Sequence, residues 1–423
     1  MIPDVQMADR AVADAHERSY GRLVGWLFRR TGDLQLAEDA VSAAFASAVV
    51  TWRRSGVPDS PEAWLRVAAR NHALNALRAV TRVTSVPLEV FELREGPIDS
   101  IPQFDDRLGL LFVCAHPAVD HRMHAPIMLQ AVLGVDAARI GRVFLTAPAT
   151  MGQRLSRAKA KIRDAGIRFR IPEPSEWRAR VGTVLQAIYA VYGVSDPIAD
   201  GPDDRDELLR AEAVRLARLI IELLPDHAEG WGLLALLLHT ESRRTARIVD
   251  AAFVPLSEQD VALWSAPLRS EAERALRHAA QIGTPGRFQL EAAISGAHSA
   301  RADGLQMPWS AITTLYEALL IVAPSVGATI SAASVRAELG DGPGARALLD
   351  RIAPELVSEH QPYWVCRARV ARLDGDQQAV RDALQRALGL TSNSAVRQYL
   401  LAQMSTKGGA TLGAPSRVAT DRD

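Results

Sequence analysis

The sequence predicts an all-α protein made of several helical domains. Of its 423 residues 48% are hydrophobic and only 5% are aromatic, and the chain is rich in Ala, Leu and Arg, a composition that favours helices over sheets. Apolar residues recur at helical spacing along most of the chain. Its length exceeds what one hydrophobic core usually serves. We therefore expect helical domains joined by short connectors.

Three helices are predicted between residues 12 and 83. The first ends at Thr31-Gly32-Asp33, where a glycine stops one helix and an aspartate can cap the next. The second carries a broad apolar stripe from Leu36 to Trp52. The third begins with Pro61 in its first turn. These helices predict a first domain over residues 10–83.

A linker and a second helical domain follow. Residues 84–104 contain Pro, Gly and acidic residues without sustained periodicity, which is typical of a linker. Residues 105–170 are helical again. Within them a short helix from Ala137 to Phe144, a three-residue turn and a longer helix from Pro148 to Ile162 have the pattern of a helix-turn-helix.

The rear of the chain, residues 176–404, is predicted to be a helical-repeat domain. Amphipathic segments alternate with Pro and Gly, and related stretches begin at Leu319, Leu348 and Leu384. Their spacing brackets the ~34-residue period of tetratricopeptide repeats. Residues 405–423 are predicted to form a disordered tail.

The charge is unevenly distributed although the whole chain has a formal net charge of zero. Residues 1–170 carry 23 basic and 18 acidic side chains, whereas residues 171–423 carry 26 and 31. The front is thus net +5 and the rear net −5. Residues 139–170 alone hold nine basic side chains and one acid, Asp164. This cluster indicates a polyanionic partner, and the opposite charges predict an intramolecular contact between the repeat domain and the front.

Several function classes lack support in the sequence. No phosphate-binding glycine loop, nucleophile elbow or zinc-protease motif occurs, so we do not expect an enzyme, a metal or a cofactor. Cys114, His116, His121 and His124 lie close together but match no familiar zinc spacing. Two distant cysteines, with neither a leader pattern nor an apolar membrane span, predict a cytoplasmic protein without membrane contact.

The front of the chain resembles region 2 of the extracytoplasmic-function (ECF) sigma factors. The residues that carry the resemblance are Leu36-Ala37-Glu38-Asp39-Ala40-Val41, Phe45, Trp64-Leu65, Ala69-Arg70-Asn71 and Leu77-Arg78. The resemblance implies binding to the β′ subunit of core RNA polymerase through Glu38, Asp39, Val41 and Phe45. It also implies that the third helix binds the −10 promoter element through Arg66, Arg70, Asn71, Asn75, Arg78 and Arg82.

The second helical domain resembles region 4 of the same sigma factors, over Leu110-Leu111-Phe112 through Cys114, His116-Pro117-Ala118 and Ala149 to Arg163. It is most similar to a subfamily with a tetratricopeptide-like C-terminal extension. The resemblance implies contact with core polymerase, through its β as well as its β′ subunit. It further implies reading of the −35 promoter element in the major groove. The residues for that task are Thr150, Gln153, Arg154, Arg157, Lys159, Lys161 and Arg163.

The chain departs from the family pattern at several positions. Ser42 and Ala43 replace a customary Gln and Glu, Arg139 replaces an acid, and Pro126 is predicted to kink a helix. These departures keep a second hypothesis open, namely a degenerate sigma-like protein that serves as an interaction or regulatory scaffold. In the rear, the stretch Glu258-Gln259-Asp260 with Trp264 is predicted to be exposed and to contact either a partner or the amino-terminal domains.

Overall fold

The computed structural model describes residues 5–84, 106–144, 146–167, 174–194, 204–283 and 285–405, and these residues are mainly helical. The predicted all-α class is confirmed. The strands of the described residues are one short antiparallel pair, β1 (Ile248–Val249) and β2 (Ala252–Phe253). Apart from Thr84 and Ser405, the predicted linker and the predicted tail lie outside the described residues.

The described helices fall into two compact units, divided after Pro225. The helices of the first unit are α1 (Val5–Thr31), α2 (Leu34–Ser55), α3 (Pro61–Thr84), α4 (Asp106–Cys114), α5 (His121–Leu133), α6 (Ala137–Val143), α7 (Pro148–Asp164), α8 (Pro174–Val194) and α9 (Asp204–Leu223). Those of the second unit are α10 (Ala228–Ser242), α11 (Arg244–Arg247), α12 (Ala266–Ile282), α13 (Arg287–Ser299), α14 (Trp309–Val322), α15 (Val326–Glu338), α16 (Gly342–Leu349), α17 (Gln361–Leu373), α18 (Gln377–Gly389) and α19 (Ser394–Ser405).

The first three helices form where the sequence predicts them. Gly32 adopts a φ of 67°, a left-handed conformation that glycine tolerates, and its amide donates to the carbonyl of Phe28 at the end of α1. Asp33 then caps α2, because its carboxylate accepts from the amide of Leu36 at 3.1 Å. Trp52 and Leu65, on α2 and α3, are fully buried in the shared core.

Two glycines on α1 bring the front of the chain against the helices that follow it. A Cβ on Gly21 would lie 2.4 Å from the carbonyl oxygen of Val132 in α5, and one on Gly25 would lie 2.9 Å from Asp106 in α4. Their missing side chains allow α1 to approach both helices at backbone distance. The two predicted front domains are therefore parts of one compact unit.

Helices α8 and α9, which the sequence assigned to the repeat domain, also belong to the first unit. Val181, Leu185 and Ile188 of α8 are buried in its core, where α8 packs against α4 and α5. Arg180 donates to the carbonyl of Phe112 at 3.0 Å. The compact units thus divide about fifty residues later than the boundary predicted at residue 176.

Two helix pairs in the second unit have the same turn. Gly340 and Gly375 adopt φ angles of 79° and 77°, and Asp341 and Asp376 then cap α16 and α18. The two caps lie 35 positions apart. The first pair, α15 with α16, and the second, α17 with α18, each pack as a hairpin. Of the three related stretches of the sequence, those at Leu348 and Leu384 begin in α16 and α18 of these hairpins, whereas the one at Leu319 begins in α14.

Of the four residues predicted to be exposed near Trp264, two are buried, and the prediction is wrong for these two. Gln259 and Trp264 are buried, whereas Glu258 and Asp260 are exposed. The guanidinium groups of Arg243 and Arg301 each lie 5.9 Å from the Trp264 ring. Cation–π interactions with these two arginines stabilise the position of the ring. The burial of Trp264 could not be predicted from helical periodicity, because the residue lies in a loop.

Two histidines beside these arginines make the second unit sensitive to acid. Burial, with repulsion from Arg243 and Arg269, lowers the pKa of His239 to about 4. Burial, with repulsion from Arg243 and Arg301, likewise lowers the pKa of His298 to about 4. Neither ring nitrogen of His239 has a hydrogen-bond partner among the described residues. Both rings are therefore held in the neutral form.

We expect the second unit to lose stability as the pH falls from about 6.5 toward 4. In this range the histidines of the unfolded chain bind protons, whereas the buried His239 and His298 of the folded unit do not. Between pH 7 and pH 5 the loss is about 2 kcal/mol for each histidine. Denaturant unfolding at both pH values measures it. A His239→Gln variant should lose about half of the pH dependence, whereas His121→Gln, at an exposed position of the first unit, should keep all of it. An unchanged pH dependence in His239→Gln would contradict the assignment.

Candidate nucleic-acid interface

An exposed polar face runs along α3. Arg70, Asn71, Asn75 and Arg78 all have exposed side chains. Amides and guanidinium groups are the donors and acceptors that bind unstacked bases and phosphates. This part of the predicted −10 surface is thus accessible to a ligand.

Three other polar residues of α3 differ from these. Arg66 is half-buried, pairs with Glu62 at 3.7 Å, and lies 5.9 Å from the ring of Trp26. His72, which follows Asn71 on α3, contacts α2, where its Nε2 lies 3.1 Å from Ser47 Oγ. The side chain of Arg82 is not among those that the structure describes. Arg66 and His72 therefore have structural contacts of their own.

A second exposed basic face lies on α7, at the position predicted for the longer helix. Its core side consists of Met151, Leu155 and Ile162, which are buried. The opposite side carries the exposed residues Thr150, Gln153, Arg154, Arg157, Lys161 and Arg163. The structure therefore gathers six of the seven predicted −35 residues on the accessible side of one helix.

Two arginines of this face make contacts within the unit. Arg154 Nη1 lies 3.5 Å from Thr146 Oγ1 in the turn before α7. Arg163 forms ion pairs with Asp33 at 3.5 Å and with Asp164 at 3.1 Å, and these carboxylates raise its pKa. Exposed pairs of this kind contribute little to stability and can exchange for phosphate.

Lys159, the seventh predicted −35 residue, is buried instead. Its ammonium group forms an ion pair with the Glu38 carboxylate of α2, and the two side chains are only 3% and 5% exposed. Lys159 Nζ also donates to Gln35 Oε1 at 3.2 Å. In this conformation Lys159 cannot bind phosphate, and the prediction for it needs correction because its ammonium group already has two partners.

The sequence contained a signal for this burial. Lys159 lies four residues after Leu155, eight after Met151 and three before Ile162. Helical spacing therefore places it on the core side of α7, among apolar residues. A lysine at such a position needs an acidic partner, and Glu38 supplies it from a distant part of the chain.

The predicted polymerase contacts on α2 also include both exposed and buried residues. Asp39 is exposed, and its carboxylate accepts from Gln35 Nε2 at 2.8 Å. Val41 and Phe45 are buried, and the Phe45 ring packs 5.0 Å from that of His16. Val41 and Phe45 are thus core residues, which support the helix rather than contact a partner directly. The apolar period of α2 accounts for both burials.

Arg139, a departure from the family pattern, has a structural explanation. It lines a cleft of about 650 Å³ in the first unit together with Glu212 of α9. Burial raises the pKa of Glu212, against the attraction of Arg215 and Arg139. The basic residue on α6 thus faces an acid of α9. The Pro126 departure is accommodated inside α5, which continues through it to Leu133.

The cysteine and histidines near residue 120 do not converge on a metal. Cys114 is buried, and burial raises the pKa of its thiol. His116 Nδ1 accepts from the amide of Ala118, and His124 Nε2 lies 3.1 Å from the carbonyl of Val119. Among the described residues no three potential metal-binding side chains form a group.

Comparison with known proteins identifies the front of the chain. Residues 16–83 match the family described as Sigma-70 region 2, and they span most of α1, α2 and α3. Residues 180–280 match a family of unknown function, DUF6596. A protein of Rhizobium meliloti (strain 1021), named "Uncharacterized protein R00370", is 33% identical over 412 residues, which cover 95% of this chain and 96% of the relative. The chain belongs to the family of that relative.

Its amino-terminal helices form a sigma-70 region 2 domain. Region 2 is the part of a sigma factor that binds core RNA polymerase, so the domain supports a sigma-factor role in transcription initiation, with polymerase and promoter DNA as partners. Sigma factors are not enzymes. No helix of the described ranges is long and apolar enough to cross a membrane.

The DUF6596 match does not coincide with either compact unit. It begins at Arg180 in α8, includes α9 of the first unit, and continues through α10 to α12 of the second. The matched residues therefore include helices that complete the core around α4 and α5, as well as the beginning of the second unit.

Proposed function

We propose that the chain is an ECF-type sigma factor that binds core RNA polymerase and directs initiation at specific promoters. The observation that carries the proposal is the pair of accessible polar faces, on α3 and α7, within the unit that contains the region 2 domain. In this proposal α3 binds the −10 element as it melts. Helix α7, as the second helix of a helix-turn-helix, reads the −35 element.

The charges of α7 suit this task. Thr150, Gln153 and Arg154 lie in the amino-terminal part of the helix, where short or branched polar groups reach base edges. Arg157, Lys161 and Arg163 follow toward its carboxyl end and suit phosphates. Asp39, the exposed acid of α2, is the accessible polymerase contact, and the buried Val41 and Phe45 hold that helix in position.

Run-off transcription tests the proposal. Genomic fragments are transcribed by core polymerase with and without the full chain, and a promoter found in this way is kept for variants. We expect Arg70→Ala combined with Asn71→Ala to lower transcript yield at least tenfold, because lost base and phosphate contacts are each worth about 1–3 kcal/mol.

Arg122→Ala is the matched control for this prediction, since Arg122 is an exposed arginine of the same unit outside both faces. Its transcript yield should equal that of the unchanged chain. Absence of any transcript that depends on the added protein would contradict the proposed function as a whole. Equal yields from the unchanged chain and the α3 variant would contradict only the role of α3.

We further propose that the second unit is a tetratricopeptide-like regulatory domain. The 35-residue separation of the equal turns at Gly340 and Gly375 supports this reading. A cleft of about 800 Å³ between α15, α17 and α19 provides a concave surface for a partner.

The second candidate function is a sigma-like scaffold without promoter activity. The burial of Glu38 against Lys159 favours it, because this contact removes a predicted polymerase contact and a predicted DNA contact together. Co-purification with core polymerase distinguishes the two candidates. The scaffold reading predicts no stable complex with core enzyme.

A further inference from the structure

The start of α2 carries an acidic surface that α7 covers. This surface, here called the α2 acidic surface, consists of Asp33, Gln35 and Glu38. Lys159 of α7 binds Glu38 and Gln35, and Arg163 binds Asp33 at 3.5 Å. Two basic side chains of one helix thus occupy three polar side chains of another. The residues that meet are about 120 positions apart, so the contact is a tertiary one.

The contact at its centre is specific but not strongly stabilising. A buried ion pair must overcome the desolvation of both charges, and such pairs often stabilise a protein no more than apolar residues of similar size. Glu38 Oε1 is also buried without a hydrogen-bond partner. In addition, burial raises the pKa of the Glu38 carboxyl to about 7, against the attraction of Lys159. The two helices therefore meet through a contact that another basic partner can replace.

The same surface is also part of the predicted polymerase-binding site. Glu38 and Asp39 are the acids that the region 2 resemblance assigns to polymerase, and Asp39 remains exposed beside the covered surface. Gln35, one turn before Asp39, and the adjacent Glu38 both contact Lys159, so a partner that approached Asp39 along α2 would meet α7. To bind Glu38, such a partner would need a basic side chain like that of Lys159, because a buried charge without a counter-charge is costly.

We propose that the α2 acidic surface is a docking surface for a basic helix, occupied by α7 in the free protein and by a basic segment of core RNA polymerase in the initiating complex. This inference rests on the proposed function. Binding of polymerase to α2 and closure of α7 onto α2 are then mutually exclusive. The free protein binds polymerase only from the fraction of molecules in which α7 has left the surface.

The other cations of α7 do not take part in this competition. Arg154, Arg157 and Lys161 are exposed while the pair is closed. DNA binding by α7 is thus possible in both conformations, whereas polymerase binding is possible in one. This asymmetry separates the inference from a general loosening of the unit, which would alter both activities.

The test uses the full chain with Lys159→Glu, which places two carboxylates against each other. We expect hydrogen exchange to increase at the start of α2 and in α7, and the affinity for core polymerase to rise at least tenfold, because the closed fraction falls. The affinity for promoter DNA alone should change much less. Arg122→Glu is the control, since it makes the same change of charge at an exposed position of the same unit.

Two further variants guard against misfolding. Lys159→Met keeps the length of the side chain and should change polymerase affinity in the same direction by a smaller factor. The exchange Glu38→Lys with Lys159→Glu should restore protection of α7 from hydrogen exchange. Wild-type binding to polymerase without a gain in either Lys159 variant would overturn the inference and leave the proposed function standing. If no variant and no wild-type protein binds polymerase, both fail.

Discussion

A chain that ends at Arg170 is expected to lose cooperative unfolding, whereas one that ends at Pro225 keeps it. Helices α8 and α9 complete the core of the first unit, and their buried apolar residues include Val181, Val184, Leu185, Ile188, Val191, Leu216 and Ile220. Each large buried side chain contributes roughly 1.5–3 kcal/mol. Loss of seven such residues is comparable to the whole stability of a typical domain, about 5–15 kcal/mol.

Polar contacts would be lost with these helices. Arg215 of α9 pairs with Glu17 of α1 at 3.4 Å, and Glu222 pairs with Arg107 of α4 at the same distance. Denaturant unfolding followed by circular dichroism, together with binding of a dye to exposed apolar surface, measures the difference between the two chains. A sharp, two-state transition in the chain that ends at Arg170 would contradict the expectation.

The chain that ends at Pro225 also provides the test of the second unit as a regulator. It retains the whole first unit, so a change in its activity reflects the loss of the second unit rather than a damaged core. Polymerase binding, promoter binding and transcription are compared with those of the full chain at several salt concentrations. Equal results in all three assays, without association of the separate units in solution, would show the second unit to be independent.

Replacement of Arg157 and Lys161 by alanine is expected to lower the affinity of the full chain for promoter DNA by about 100-fold at moderate salt. Both side chains are exposed on α7, and each phosphate contact releases condensed counterions when it forms. The logarithm of the binding constant should also depend less steeply on the logarithm of the salt concentration, with a slope smaller by nearly 2.

Single variants divide the roles within this face. Arg154→Ala should relax sequence preference, whereas Lys161→Ala should weaken binding to all sequences about equally. Arg274→Ala, an exposed arginine of α12, serves as the control and should leave both affinity and salt dependence unchanged. Equal losses of specificity from Arg154→Ala and Lys161→Ala would contradict the division, and an unchanged salt slope in the double variant would contradict phosphate contact.

The sequence by itself determined the helical class, the breaks between the first three helices and the first residues of α6 and α7. These features are local. A glycine with positive φ at residue 32, a capping aspartate at residue 33 and a proline in the first turn of α7 act within one turn of helix, so their effects can be predicted without knowledge of distant contacts. The exposure of six of the residues predicted to bind the −35 element could be predicted for the same reason, because they lie away from the apolar side of a single helix.

Only the tertiary structure decided which elements share a core and which charges are paired. Lys159 was expected to bind phosphate, and its buried partner Glu38 lies 121 positions away, beyond the reach of any periodicity. The assignment of α8 and α9 to the first unit likewise depends on packing against α4 and α5. The sequence of one helix does not show which other helix covers its apolar side. A side chain becomes buried only when helices pack together. A buried charge pairs with the opposite charge that lies nearest in space, which need not be near in sequence.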